Sequence, residues 1–201
     1  MADLYKNAAR EIIKAGNHLE SLQLAPATSG NYSIRTDDNE MAITVSGTHK
    51  GRLELNQIMR ADLSGNSLDG NKPSAEILLH CLIYKLYPKV NAVLHTHSVA
   101  CTVLTRLKAN DDDITLSGYE MLKAFPDIDT HDTSVILPIF ENTQDMAELS
   151  KRVNAYLGKH LETPAYLIRC HGLYGWGVDM DEAMRVIEAT EMLLSTEMYI
   201  N

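Results

Sequence analysis

The sequence predicts an α/β fold, a mixed sheet covered by helices. Apolar segments of strand length alternate with amphipathic helical segments, several of the strands fall into hairpins, and no Pro/Gly/Ser-rich linker separates them. Asp3 stands where it can cap a first helix that runs to about Leu22, with Ala9, Ile12, Ile13 and Leu19 at helical spacing. Ala25 to Asn31 reads as loop. Tyr32–Arg35 and Met41–Val45 then read as two strands joined through Asp37-Asp38-Asn39, an antiparallel hairpin that ends in Ser46-Gly47-Thr48. Leu53 to Leu68 reads as short strands around Gly65-Asn66. Pro73 marks a helix start, with Ala75, Leu78, Leu79, Leu82, Ile83 and Leu86 forming one wide apolar face. Val90–Leu94 is a buried-type strand leading into His95-Thr96-His97, and Ser98 is placed to cap the following helix. Val135–Phe140 and Ala165–Arg169 are further strands, with a helix over Asp145 to Lys159 between them. The last helix opens with a capping box, Asp179 and Glu182, and runs to about Ile200.

A chain of 201 residues suits one continuous domain, 1–201, large enough to bury a core without staples. No apolar run reaches the ~18–20 residues that span a bilayer, and the N-terminus lacks a basic and then apolar signal. A cytoplasmic protein with no membrane partner is the expectation. Three cysteines, Cys81, Cys101 and Cys170, with no CxxC pair exclude a disulfide framework and a cysteine-rich zinc finger. A net charge of −9 without a basic stripe excludes nucleic acid as a partner. An anionic small molecule can bind only where local groups overcome that field.

His95 and His97 lie two apart at a strand end, so both imidazoles leave one face, as a metal site requires. Two histidines hydrogen-bonded in a core give the same pattern. His171 follows an apolar strand and precedes Gly172, so it too sits at a strand exit, where α/β sheets collect ligands. Cys170 alternates to the other side and reads as packing, while His18, His80 and His160 fall on helices as surface or packing residues. Glu76 stands in the first turn after Pro73, where an acid suits the helix dipole and simple capping accounts for it. Spacing alone leaves Glu120 a solvated acid. Thr28-Ser29-Gly30-Asn31, Ser46-Gly47-Thr48 and Lys72-Pro73-Ser74 each offer small residues and approachable N–H groups for an anion, and Lys50 adds charge.

Thr28-Ser29-Gly30-Asn31, Val45-Ser46-Gly47-Thr48, Lys72-Pro73-Ser74-Ala75-Glu76, His95-Thr96-His97-Ser98 and Cys170-His171-Gly172 occur in the order of the class II aldolase family. The chain resembles that family over nearly its whole length. The resemblance implies a three-layer α/β/α domain with a mixed, largely antiparallel central sheet. It implies one Zn2+ per subunit on His95, His97 and His171, and a phosphate held by Gly30, Asn31, Ser46, Gly47 and Ser74. Glu76 takes the place of the aldolases' catalytic glutamate, although Ala75 replaces the second serine that often precedes it. Thr48-His49-Lys50-Gly51 and Tyr119-Glu120-Met121-Leu122-Lys123 are most similar to the family's dehydratases, whose E-M-x-K glutamate is the acid/base. The implied activity is zinc-dependent dehydration of a sugar phosphate, 5-methylthioribulose 1-phosphate, a hydro-lyase step of methionine salvage, with Glu120 as acid/base and a homotetramer as the assembly. A sugar-phosphate aldolase or 4-epimerase is the rival within the family. The non-catalytic rival, an adducin-like module, lacks metal histidines, and all three are present here.

Overall fold

A computed structural model describes residues 2–200. Helix α1 (Ala2–Ser21) places Asp3 inside its first turn rather than at the cap. There Asp3 meets the positive end of the helix dipole instead of accepting a capping hydrogen bond. Strands β1 (Asn31–Asp37) and β2 (Glu40–Thr44) form the expected hairpin, and β3 (Ile58–Asp62) adds to its far edge. Within the stretch expected as short strands, Leu53–Leu68, a 3-10 turn at Leu55–Gln57 leads into β3, and past the Gly65-Asn66 turn Ser67 pairs back with Ala61 as an isolated antiparallel bridge; a further 3-10 turn, Lys50–Arg52, precedes it.

Helix α2 (Ile77–Leu86) begins after Glu76 rather than at Pro73. β4 (Ala92–Thr96) and α3 (Val99–Leu107) follow, and the Ser98 hydroxyl accepts from the Cys101 N–H as expected of a cap. Then come β5 (Asp113–Ser117), β6 (Ser134–Phe140), α4 (Met146–Leu157), β7 (Ala165–Ile168), β8 (Gly172–Gly177) and α5 (Met180–Ile200). Asp179 caps α5, accepting from the Glu182 N–H, and Glu182 reaches back to the N–H of Val178, one residue before the cap. Sequence reading missed β5 and β8. β5 emerges from an acidic run, and β8, Gly-Leu-Tyr-Gly-Trp-Gly, carries three glycines where strand propensity wants branched residues.

The eight strands form one sheet in the order β3-β2-β1-β4-β8-β7-β6-β5. The β6–β7 pair is parallel and the other neighbours are antiparallel. Alternation along each strand divides the core in two. Ala92, Leu94, Ala165 and Leu167 pack with Ile12 and Leu19 of α1, Leu104 of α3 and Leu193 of α5. Val93, Tyr166, Ile168 and Tyr174 pack on the other face with Ile83 of α2 and Val153 of α4. The architecture is therefore the three-layer α/β/α arrangement with a largely antiparallel sheet. Among the described residues no helix is long and apolar enough to cross a membrane.

Candidate metal centre

The centre of the sheet brings the sequence-predicted histidines together. In register, Asn31 of β1, His95 of β4 and Tyr174 of β8 stand side by side, and alternation turns all three toward the α2 face. Two glycines permit that approach. A Cβ at Gly30, whose φ is +77°, would meet the His95 carbonyl oxygen at 2.6 Å, and one at Gly172 would lie 2.8 Å from His95 Cε1.

His171 comes from the three-residue turn between β7 and β8, where Cys170 adopts φ +53°. That left-handed residue is what a three-residue hairpin turn needs. Cys170 is consequently exposed rather than packed, and its N–H donates to Thr105 Oγ1 at 3.0 Å. The turn is pinned by Arg169, whose guanidinium donates to the carbonyls of Thr105, Lys108 and Asp111 and to Glu141. No sequence signal pointed to this anchor.

The ligating atoms of His95, His97 and His171 lie within 4.8 Å of one another. His95 is fully buried, and its Nδ1 lies 3.0 Å from the Leu173 carbonyl oxygen. A carbonyl only accepts, so Nδ1 carries the proton and Nε2 offers its lone pair to the cluster. His97 Nε2 sits 2.9 Å from that nitrogen. Burial first, then the neighbouring imidazoles, hold His95 well below the usual histidine range and His97 at about 3, so both are neutral. Glu76 completes the set. Its Oε2 lies 3.4 Å from His95 Nε2, and its Oε1, buried and without a hydrogen-bond partner, lies 3.3 Å from His171 Nε2. Converging imidazole nitrogens beside an unsatisfied carboxylate oxygen are a donor set suited to a divalent cation, and His95, His97 and His171 could hold one. Glu76 makes no side-chain capping bond to α2, so the simple capping account of this residue does not hold.

On one side of the histidines lies a cavity of about 250 Å³ lined by the three loops singled out in the sequence, including Gly30, Asn31, Ser46, Gly47, Lys50 and Ser74. Lys50 is 1% exposed, and its ammonium donates to the Thr28 carbonyl at 3.1 Å and the Thr48 carbonyl at 2.5 Å. Two of its three protons are so placed, and burial lowers its pKa to about 8. The Ser74 hydroxyl oxygen accepts from the Glu76 N–H and from Asn31 Nδ2, leaving its own proton free. The Asn31 side chain faces Glu76 and His80, so the loop's approach to an anion relies on backbone N–H groups. On the other side lies a groove of about 520 Å³ with apolar walls from Pro26, Val99 and Val103, reached past His97 and His171. Val99 is 72% exposed there.

Glu120 is not brought to this centre within one chain. It begins a 3-10 turn after the edge strand β5, its side chain is 73% exposed, and it pairs with Lys123 at 2.6 Å and His131 at 3.5 Å. His18 and His160 are exposed, as expected of surface residues, and His80 is buried behind Glu76.

Residues 10–198 match the family model described as Class II Aldolase and Adducin N-terminal domain. The methylthioribulose-1-phosphate dehydratase of Hahella chejuensis is 50% identical over 201 residues, covering 98% of this chain and 97% of that protein. That of Marinobacter nauticus is 48% identical, covering 96% and 94%. Among solved structures, an L-fuculose 1-phosphate aldolase aligns with a TM-score of 0.78 at 26% identity, covering 96% of this chain and 86% of that one. YgbL from Klebsiella pneumoniae, described as a putative aldolase/epimerase/decarboxylase, aligns at 0.82 with 23% identity, covering 98% and 91%.

Proposed function

The chain belongs to the class II aldolase and adducin N-terminal domain family, and we propose that it is a hydro-lyase that dehydrates 5-methylthioribulose 1-phosphate in methionine salvage. Relatives at about half identity over nearly full length bear the name of that activity. The observation that carries the reading is the histidine cluster with Glu76, set between a polar anion cavity and an open apolar groove. The polar cavity takes the phosphate on Gly30, Asn31, Ser46, Gly47 and Ser74, with Lys50 supplying positive charge. The groove beside Val99 and Val103 takes the methylthio tail.

His95, His97 and His171 hold one Zn2+ per chain. When bound, a Zn2+ ion supplies Lewis acidity toward the C2 ketone and so makes the neighbouring C3–H removable. The reaction removes the C3 proton and the C4 hydroxide as water. The enol left between C3 and C4 tautomerises to the 2,3-diketone phosphate. Glu76 stands among the histidines and orients the reacting carbons against its unpartnered Oε1. Glu120, matched to the dehydratases' acid/base, moves the proton from C3 to the departing hydroxyl. With its carboxylate turned outward, it serves the site of a second copy in a homotetramer. Phosphate held in the loops fixes the sugar relative to both carboxylates.

Proton NMR of the product from 5-methylthioribulose 1-phosphate tests this reading. A diketone phosphate with the carbon chain intact is the expected product. Dihydroxyacetone phosphate plus methylthioacetaldehyde would identify an aldolase instead, with Glu76 as its acid/base.

Lys50 gives a separate expectation. Its ammonium is charged below about pH 8 and neutral above it, so substrate affinity holds in neutral solution and falls as pH rises through that value. A hydrogen bond to a charged group is worth ~1.5–3 kcal/mol, so Lys50→Met raises KM about 10- to 100-fold with kcat little changed. Steady-state kinetics across pH 6.5 to about 9 reads both effects.

A further inference from the structure

Behind Glu76 runs a line of buried polar side chains that neither the phosphate contacts nor any step of the dehydration uses. Asn31 Nδ2 lies 2.7 Å from Glu76 Oε2. On its other side, Asn31 Oδ1 meets His80 Nε2. His80 Nδ1 lies 2.7 Å from Ser33 Oγ, which lies 2.8 Å from the Tyr84 hydroxyl. His80, Ser33 and Tyr84 are all buried, and Asn31 is nearly so.

The direction of every bond follows from one end. A carboxylate only accepts, so Asn31 must turn its NH2 to Glu76 and its carbonyl oxygen to His80. That oxygen also only accepts, so His80 must carry its proton on Nε2. Full burial disfavours the imidazolium, which leaves Nδ1 bare and requires the Ser33 hydroxyl to donate to it. The Ser33 oxygen then accepts from Tyr84. One arrangement of protons satisfies the whole line, and it decides which way the Asn31 amide faces.

We propose that His80, as a neutral imidazole held in its Nε2–H form by Ser33, is the positioning residue that locks Asn31 and thereby aims the Glu76 carboxylate at the histidine cluster. This rests on Glu76 belonging to the active centre. Without the Nε2–H donor, the Asn31 amide loses its orientation, and its oxygen can turn toward a carboxylate that repels it. A displacement of about 1 Å at a reacting group can cost 10²-fold in rate.

Three measurements on the metal-loaded protein test the proposal. In wild type, ¹⁵N NMR of labelled histidine, assigned by the signal lost in His80→Gln, is expected to show a protonated Nε2 and a bare Nδ1. A protonated Nδ1 overturns it, and this result does not depend on any variant folding. With zinc held at saturation, His80→Leu is expected to lower kcat about 10- to 100-fold with KM near wild type, because only the aim of Glu76 has changed. His80→Gln, whose Nε2 donor can reach Asn31 Oδ1, should recover at least about tenfold of that loss. Equal losses in the two variants would mean that His80 only fills space, and the proposal fails. A fully active His80→Leu beside an impaired Glu76→Gln also overturns the positioning role. A fully active Glu76→Gln instead overturns the reading of Glu76 on which it rests.

Discussion

Replacing His171 with alanine is expected to empty the metal centre and lower kcat/KM by about three orders of magnitude, equivalent to ~4 kcal/mol of lost charge stabilisation in the transition state. His171 is the informative choice among the three. His95 is fully buried, and its removal would leave a cavity between Tyr174 and Gly172. His171 is partly exposed and its Nδ1 has no hydrogen-bond partner, so its loss removes a ligand and little else. Elemental analysis of protein purified without chelator should give about one zinc per wild-type chain and far less in His171→Ala. A chelator should reproduce the loss in wild type, and added Zn2+ should reverse it. Wild type that is active after complete metal removal would overturn the metal-dependent reading.

Glu120→Gln is expected to lower kcat about 10²- to 10⁴-fold, the range for losing a general acid or base, while metal content stays unchanged. Glu76→Gln should lower both activity and metal affinity, the latter about 10- to 100-fold, since its oxygens stand 3.4 Å from His95 Nε2 and 3.3 Å from His171 Nε2. The two carboxylates are separable further because the Glu120 side chain is 73% exposed and paired with Lys123 and His131, whereas Glu76 stands beside the histidines. If each site combines the histidines of one copy with Glu120 of the next around a ring, then His171→Ala and Glu120→Gln repair each other. Mixing the two inactive variants in equal amounts and allowing subunits to exchange should restore about one quarter of wild-type activity, the chance that a site draws both intact halves. No recovery in demonstrably mixed oligomers would mean that Glu120 serves the site of its own chain, and Glu120→Gln with wild-type kcat would place it outside the reaction.

Much of the fold was legible because the signals are local. Ser98 and Asp179 cap the helices that they were expected to cap, since capping joins groups three or four residues apart. The His95–His97 pair was legible for a similar reason: residues two apart at the end of an extended segment leave on one face, and His97 follows directly on β4. β8 was not legible. Its glycines are poor strand formers, and their value appears only when β4 lies alongside and Gly172 must clear His95.

The sequence by itself determined the helices, most of the strands and the placing of His95 and His97 at one strand end, because dihedral preference and periodicity act over a few residues. Tertiary structure alone decided what the charged and polar side chains do. It buried Lys50 between two carbonyls, turned Glu76 from a helix cap into a member of the histidine cluster, and joined Asn31 to His80 behind it. It also left Glu120 on the surface of its own chain. A hydrogen bond or ion pair between groups distant in sequence depends on how strands register and helices dock, and on the requirement that each buried polar group find a partner. Such partners come from the folded sheet, and spacing along the chain does not encode them.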